Sequence, residues 1–289
     1  MIRVLTILLC LSCGRPVDRI EVPPHVQVNE LAEFYATLLP TIQDADGYVN
    51  ASDCDALLFN SLLSAAGAEI TILLSMDWVS GQWYRTKYKN CYDEDKSAST
   101  ISGDMLLGLM WHIWRAKDLT MAENLYQYGR KNTWVMGQGP ISRTGMKPIL
   151  VDTLAKIIRQ MGGKNHPMLV PDIWPKVPPG FGRHLQTLHI LLRGQIEGKL
   201  AKTAVDRIVY NYSQERGNIL FQAAHRKWVD PSTRIDLSAY PLDRLPTSLD
   251  WCEQWPVQRA ADSNGLNPCD EGKTHSGGEI GFIKMILEA

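Results

Sequence analysis

Between Asp104 and Arg115 the chain reads Met105-Leu106-Leu107-Gly108-Leu109-Met110-Trp111-His112-Ile113-Trp114, with almost no polar face. A helix that is apolar all round has to be surrounded, because any side left in water exposes hydrocarbon. This one segment therefore demands several covering elements, and the rest of the sequence supplies them as amphipathic helices. Leu150, Leu154, Ile157, Ile158 and Met161 fall on one helical stripe that Gly162-Gly163 can end. Leu185, Leu188, Leu192 and Ile196 form another, closed by Gly198, and Ala201, Ala204, Val205, Ile208, Val209 and Tyr212 a third. Asp53 can cap a helix carrying Leu57, Leu58, Leu62 and Ala65, with Gly67 at its end. Asn218 can cap Ile219 to Trp228, and Gly278 to Leu287 reads as a last helix. Strand-like alternation is scarce. The expected fold is all-α, with about ten helices joined by long loops.

The amino terminus constrains location. Arg3 precedes a short apolar run from Val4 to Leu11, then Ser12, Cys13 and Gly14. A basic start, a short greasy stretch and a small residue before a cut describe an export signal. Leu11-Ser12-Cys13 resembles a bacterial lipobox, which implies that Cys13 becomes the lipidated first residue; simple cleavage is the alternative. Residues 1–13 are thus read as the signal, 14–29 as a polar, proline-bearing tether, and 30–289 as one helical domain. The expected place is the bacterial cell envelope, lipid-anchored or periplasmic, with the membrane reached through the anchor. No later segment has enough uncharged apolar residues in a row to span a bilayer.

Four further cysteines agree with export: Cys54, Cys91, Cys252 and Cys269. An even number in an oxidising compartment points to disulfides, and Cys54–Cys91 with Cys252–Cys269 would each close a local loop. Each bridge would stabilise the fold by about 2–4 kcal/mol. No C-x-x-C spacing supports zinc instead. A formal net charge of −1 leaves no basic excess to point to nucleic acid.

Chemistry-bearing residues concentrate in the loops. Asp44, Asp46 and Asp53, with Gly47 between them, resemble part of a dockerin or EF-hand calcium loop, although Ile42 stands where the first ligand would be. Calcium is the only cofactor this suggests, and a turn ending in a helix cap is the plainer reading. Asp104 sits where the apolar helix begins, either as a cap or as a site carboxylate held by the helix dipole. Asp55, in the first turn of its own helix, is a candidate second acid, since glycoside hydrolysis uses paired carboxylates. His275 is a spare acid/base candidate near the carboxyl terminus. Arg85, Arg143 and Arg259 lie in aromatic- or glycine-rich loops and can hold carboxylates in a two-pronged way. Trp83 and Trp134 offer flat faces for stacking on sugar rings, whereas Trp111 and Trp114 belong to the buried helix. There is no G-x-S-x-G elbow, no H-E-x-x-H and no phosphate loop, which excludes the commonest esterase, zinc-protease and nucleotide-enzyme signatures.

Buried apolar helices with loop-borne Asp, Arg and Trp resemble the α/α-toroid carbohydrate-active proteins, the glycoside hydrolases and polysaccharide lyases. The resemblance is architectural and covers most of residues 30–289. It implies a helical barrel with its loops at one end and a glycosidase or lyase acting on a poly- or oligosaccharide. In that reading Asp104 would be the leading catalytic carboxylate with Asp55 or Asp46 as partner and His275 in reserve, Arg85, Arg143 and Arg259 would bind substrate charge, and Trp83 and Trp134 would form a platform. A non-catalytic surface lipoprotein that binds glycan or protein is the alternative.

Overall fold

In the computed structural model the described residues are 24–41, 43–49, 56–87, 101–138, 143–166, 173–177, 181–237 and 278–288. Among them are nine α-helices: α1 (Pro24–Leu38), α2 (Ala56–Ala65), α3 (Gly103–Ala116), α4 (Leu119–Lys131), α5 (Pro148–Gln160), α6 (Phe181–Glu197), α7 (Lys202–Gln214), α8 (Ile219–Trp228) and α9 (Gly278–Glu288). The all-α expectation holds. An antiparallel strand pair, β1 (Val135–Gln138) and β2 (Arg143–Gly145), sits where the sequence suggested a loop. No helix is long and apolar enough to cross a membrane among the described residues. Helix α1 begins at Pro24, earlier than the predicted end of the tether at residue 29. Proline suits a first helical position because its missing N–H has no intrahelical partner there.

Seven consecutive residues of α3, Met105 to Trp111, are buried. Helices α2, α4, α5 and α6 pack around it, and the Trp111 indole N–H donates to the Leu188 carbonyl of α6 at 3.1 Å. The tightest of these contacts is with α2. A Cβ placed on Gly108 would lie 3.2 Å from the Leu58 Cα and carbonyl oxygen, so the two backbones touch. The pairs Gly108 with Leu58, His112 with Ser64 (2.9 Å) and Arg115 with the Ala65 carbonyl (3.4 Å) advance together, so α2 and α3 run parallel. Helix α2 is buried on nearly all sides too, and Asn60 on it holds the 43–49 loop. The Asn60 side-chain oxygen accepts from the Val49 N–H at 3.0 Å and its amide donates to the Val49 carbonyl at 2.6 Å. Two otherwise orphaned backbone groups are thereby satisfied.

Helix ends follow local chemistry. The Asn218 side chain accepts from the Leu220 and Phe221 N–H groups, as its position predicts. Gly67 and Gly198 take the left-handed conformation just past α2 and α6 (φ +100° and +67°). Helix α9 packs on α1, α8 and α2, so the two ends of the described chain lie together.

The Gly108 contact gives a direct test. Gly108→Ala should lower stability by about 1–3 kcal/mol in urea denaturation, because Leu58 backbone has to move to admit the methyl. Gly103→Ala, at a position with nothing within 4 Å, should not lower it.

Candidate functional site

Helix α6 has the composition of a core helix yet buries Arg183, His184, Thr187, His189 and Arg193. Charged groups stay inside only when partnered. Toward α5, Arg193 donates from Nη1 to Asp152 Oδ2 at 2.6 Å and from Nε to Glu197 Oε1 at 2.9 Å. Lys156 Nζ lies 2.7 Å from the same Glu197 oxygen and 3.5 Å from Asp152 Oδ2. Two acids and two bases alternate in a closed set. Beside them Thr153 Oγ1 donates to the Ile149 carbonyl at 2.8 Å, so its contact with His189 Nε2 at 2.7 Å is donated by the imidazole. His189 is therefore fixed as the Nε2–H tautomer. Burial, then the nearby Arg193 charge, push its pKa down to about 3.

Toward α7 the groups are arranged differently. Arg183 pairs with Glu215, and Asn211 Nδ2 donates to Thr187 Oγ1 at 3.0 Å. Arg207 donates from Nε (3.0 Å) and Nη2 (2.7 Å) to the Trp174 carbonyl, and Gln186 Nε2 donates to the Pro175 carbonyl at 2.8 Å. These bonds clamp the 173–177 segment against both helices. Three cations then surround one ring: Lys176 Nζ is 4.8 Å, Arg207 Cζ 5.2 Å and Arg183 Cζ 5.6 Å from the Tyr210 centroid. Glu215 is the carboxylate paired with this group; neither Lys176 nor Arg207 has an ion-pair partner among the described residues. Four buried polar atoms of the same seam make no hydrogen bond: Arg183 Nε, Trp174 Nε1, Gln186 Oε1 and Asn211 Oδ1. Buried polar atoms are seldom left so. The amino-terminal end of α6, where Arg183 stands, adds the positive end of a 17-residue helix dipole.

The residues singled out from sequence have different fates. Asp104 is in the first turn of α3 and accepts a hydrogen bond from the Ser102 hydroxyl, with Ser102 in the cap position. Trp83 is 3% exposed within the main core, which removes its faces from any platform. Trp174, another loop indole, is 6% exposed, and its edge meets His189 at 5.1 Å. Both loops fold inward because these indoles are the largest apolar groups available to cover the helix ends. Trp134 is half-buried and lies edge-on to Tyr126 at 5.1 Å, covering Gly129. Trp111 is fully buried, as expected. The Arg85 carbonyl accepts from the Leu57 N–H at 2.8 Å and so ties its loop to α2. Lys87 Nζ sits 2.7 Å from Asp44 Oδ2 and 2.6 Å from Asp46 Oδ2, an ammonium where the calcium reading would put the ion. Burial opposes the charge of Asp44, but Lys87 and the Tyr48 and Asp46 amides hold its carboxyl below the usual range. Arg143 lies on β2. Asp53, Asp55, His275, Arg259, Cys13, Cys54, Cys91, Cys252 and Cys269 lie outside the described residues, as does the side chain of Arg143.

A cleft of about 710 Å³ opens elsewhere, between α1, α9 and the turn after α2. Tyr35, Leu63 and Met285 floor it, and Glu33, Arg115 and Lys284 stand at its edge. Sequence reading missed both the cleft and the α6–α7 seam. For the seam a signal existed: Arg183–Thr187 and His189–Arg193–Glu197 recur every four residues beside an apolar stripe.

Compared with known proteins, the chain matches no family model, no curated protein and no solved structure.

His189 sets a pH dependence. Its folded pKa of about 3 lies below the value near 6.5 of a free imidazole. The unfolded chain therefore binds the proton first as pH falls. Stability from the neutral imidazole is complete above about pH 6.5 and is lost as pH falls from there toward 3. His112 and His225 shift the same way, each chiefly through burial. Denaturation midpoints followed from pH 7.5 to about 4.5 should show a slope that His189→Gln reduces by up to roughly 1.4 kcal/mol per pH unit.

Proposed function

We propose that this chain is an exported, envelope-located carbohydrate-active protein that seats an acidic saccharide on the α6–α7 seam. The observation that carries the reading is the gathering of Lys176, Arg183 and Arg207 around Tyr210 with one paired carboxylate. Guanidinium groups hold a uronate carboxylate bidentately, and an ammonium adds charge without imposing direction.

Of the two chemistries considered, lyase action fits this group of residues better than hydrolysis. Hydrolysis needs two carboxylates flanking the scissile bond. Elimination next to a carboxylate needs a cation to stabilise the carbanion-like charge and a base to take one proton. Arg183 and Lys176 would neutralise the uronate. The Tyr210 oxygen, having first given its own proton to solvent, would remove the proton from the carbon bearing the carboxylate and then pass it to the departing glycosidic oxygen. The electron pair left on that carbon forms the new carbon–carbon double bond as the glycosidic carbon–oxygen bond breaks. The departing oxygen takes up a proton.

The toroid belongs to this reading as well. What supports it is that α2 and α3 run parallel, as neighbouring inner helices of a ring would. The lipid anchor at Cys13, the two disulfides and the envelope location complete the proposal. Capture without cleavage is the second reading. It is favoured by the commitment of His189, one of two buried histidines on α6, to Thr153 rather than to a substrate.

Incubation with a polyuronate should raise the ultraviolet absorbance of an unsaturated product; binding without that rise would select capture. Lys176→Gln, at an exposed position, should leave the melting temperature unchanged and weaken polyuronate binding several-fold, with the difference vanishing at high salt. Equal affinity for neutral and acidic glycans in wild type and variant would refute the seat.

A further inference from the structure

The turn after the short 3-10 helix Ile72–Ser75 carries the most exposed large apolar groups among the described residues. Trp78 is 71% exposed and Val79 is 99% exposed. They stand at the tip of a small hairpin whose base is the Met76–Trp83 bridge. Five of its backbone N–H groups are satisfied inside the turn. Asp77 Oδ1 accepts from Val79 N (2.9 Å) and Ser80 N (3.4 Å), and the Asp77 carbonyl accepts from Gly81 N (2.7 Å). Ser80 Oγ accepts from Gln82 N (3.2 Å), and the Gln82 carbonyl from Asp77 N (2.8 Å). Gly81, at φ +75°, closes the turn and leans on Tyr128 of α4, with that ring 3.5 Å from where its Cβ would be.

In water an exposed turn has no need to satisfy its amides internally, since solvent does so. In a bilayer each unsatisfied amide is costly. Residues 78–82 also carry no charge. Trp is the side chain most at home at the boundary of headgroups and acyl chains. A convex tip of two residues enters a fluid phase readily, but it is far short of the area that a specific protein interface buries.

We propose that the 77–82 hairpin is a membrane-contacting tip that inserts Trp78 and Val79 at the headgroup–acyl boundary. Its occupant is the lipid surface itself. If the chain carries the lipid anchor proposed at Cys13, a second contact of this kind would fix the molecule's orientation on the bilayer, which one tethered point cannot do.

The full chain, mixed with vesicles of brominated phosphatidylcholine and phosphatidylglycerol, decides the matter. Bromine should quench a component of tryptophan fluorescence that Trp78→Ala removes. Val79→Asp keeps the reporter but places a charge at the tip, and should abolish the same component. Both sites are solvent-exposed, and unchanged melting temperatures check the fold. Equal quenching in wild type and Trp78→Ala, or none in either, overturns the proposal. So does shielding of Trp78 from aqueous acrylamide that depends on protein concentration in the absence of vesicles, which would mean self-association.

Discussion

The fold rests on the contact of two backbones, α2 against α3 at Gly108 and Leu58. Helices that close together leave no room for a side chain at their crossing, and both are buried on almost every side. Helix α3 can therefore exist only inside a shell. The amphipathic helices α4, α5 and α6 are the shell it needs, each turning an apolar stripe inward. A glycine without a side chain at one position thus sets the spacing on which the arrangement of the surrounding layer depends.

That shell is also what makes ionic groups at the α5–α6–α7 seam expensive to hold, and their geometry reflects the expense. Facing α5, each charge has an opposite neighbour within hydrogen-bond distance, and the set is electrically closed. Facing α7, the balance is uneven, with three cations about a phenol and polar atoms that meet nothing in the protein. The first arrangement specifies how two helices align; the second keeps an electrostatic surplus at the edge of the same helix. The fully paired network fixes the side of α6 that faces α5 and so holds the other side of the helix in place as well.

Periodicity made the helical layer legible. The stripes through Leu150–Met161, Leu185–Ile196 and Ala204–Tyr212, and the Asn218 cap, all have helices at those places. Helix ends marked by Gly67 and Gly198 were legible for the same local reason. The β1–β2 pair was not, because its glycine-rich strands are too short to show alternation. Indoles in loops misled in a consistent way. Trp83 and Trp174 turn inward because apolar area outweighs their position in irregular chain. The seam escaped notice because charge on a core helix is read as its solvent face until the partner helix is known. Asp152 and Arg193 are far apart in the chain, and only packing brings them to 2.6 Å.

The association of α1 with α9 has a consequence for biogenesis. Most of the described chain separates its two partners, so this union cannot form until the last helix has been made. Loop closure over such a distance is slow, and contacts of high sequence separation come late in folding. Until the last helix arrives, the faces of α1, α2 and α8 that it covers stay open to whatever surrounds the growing chain.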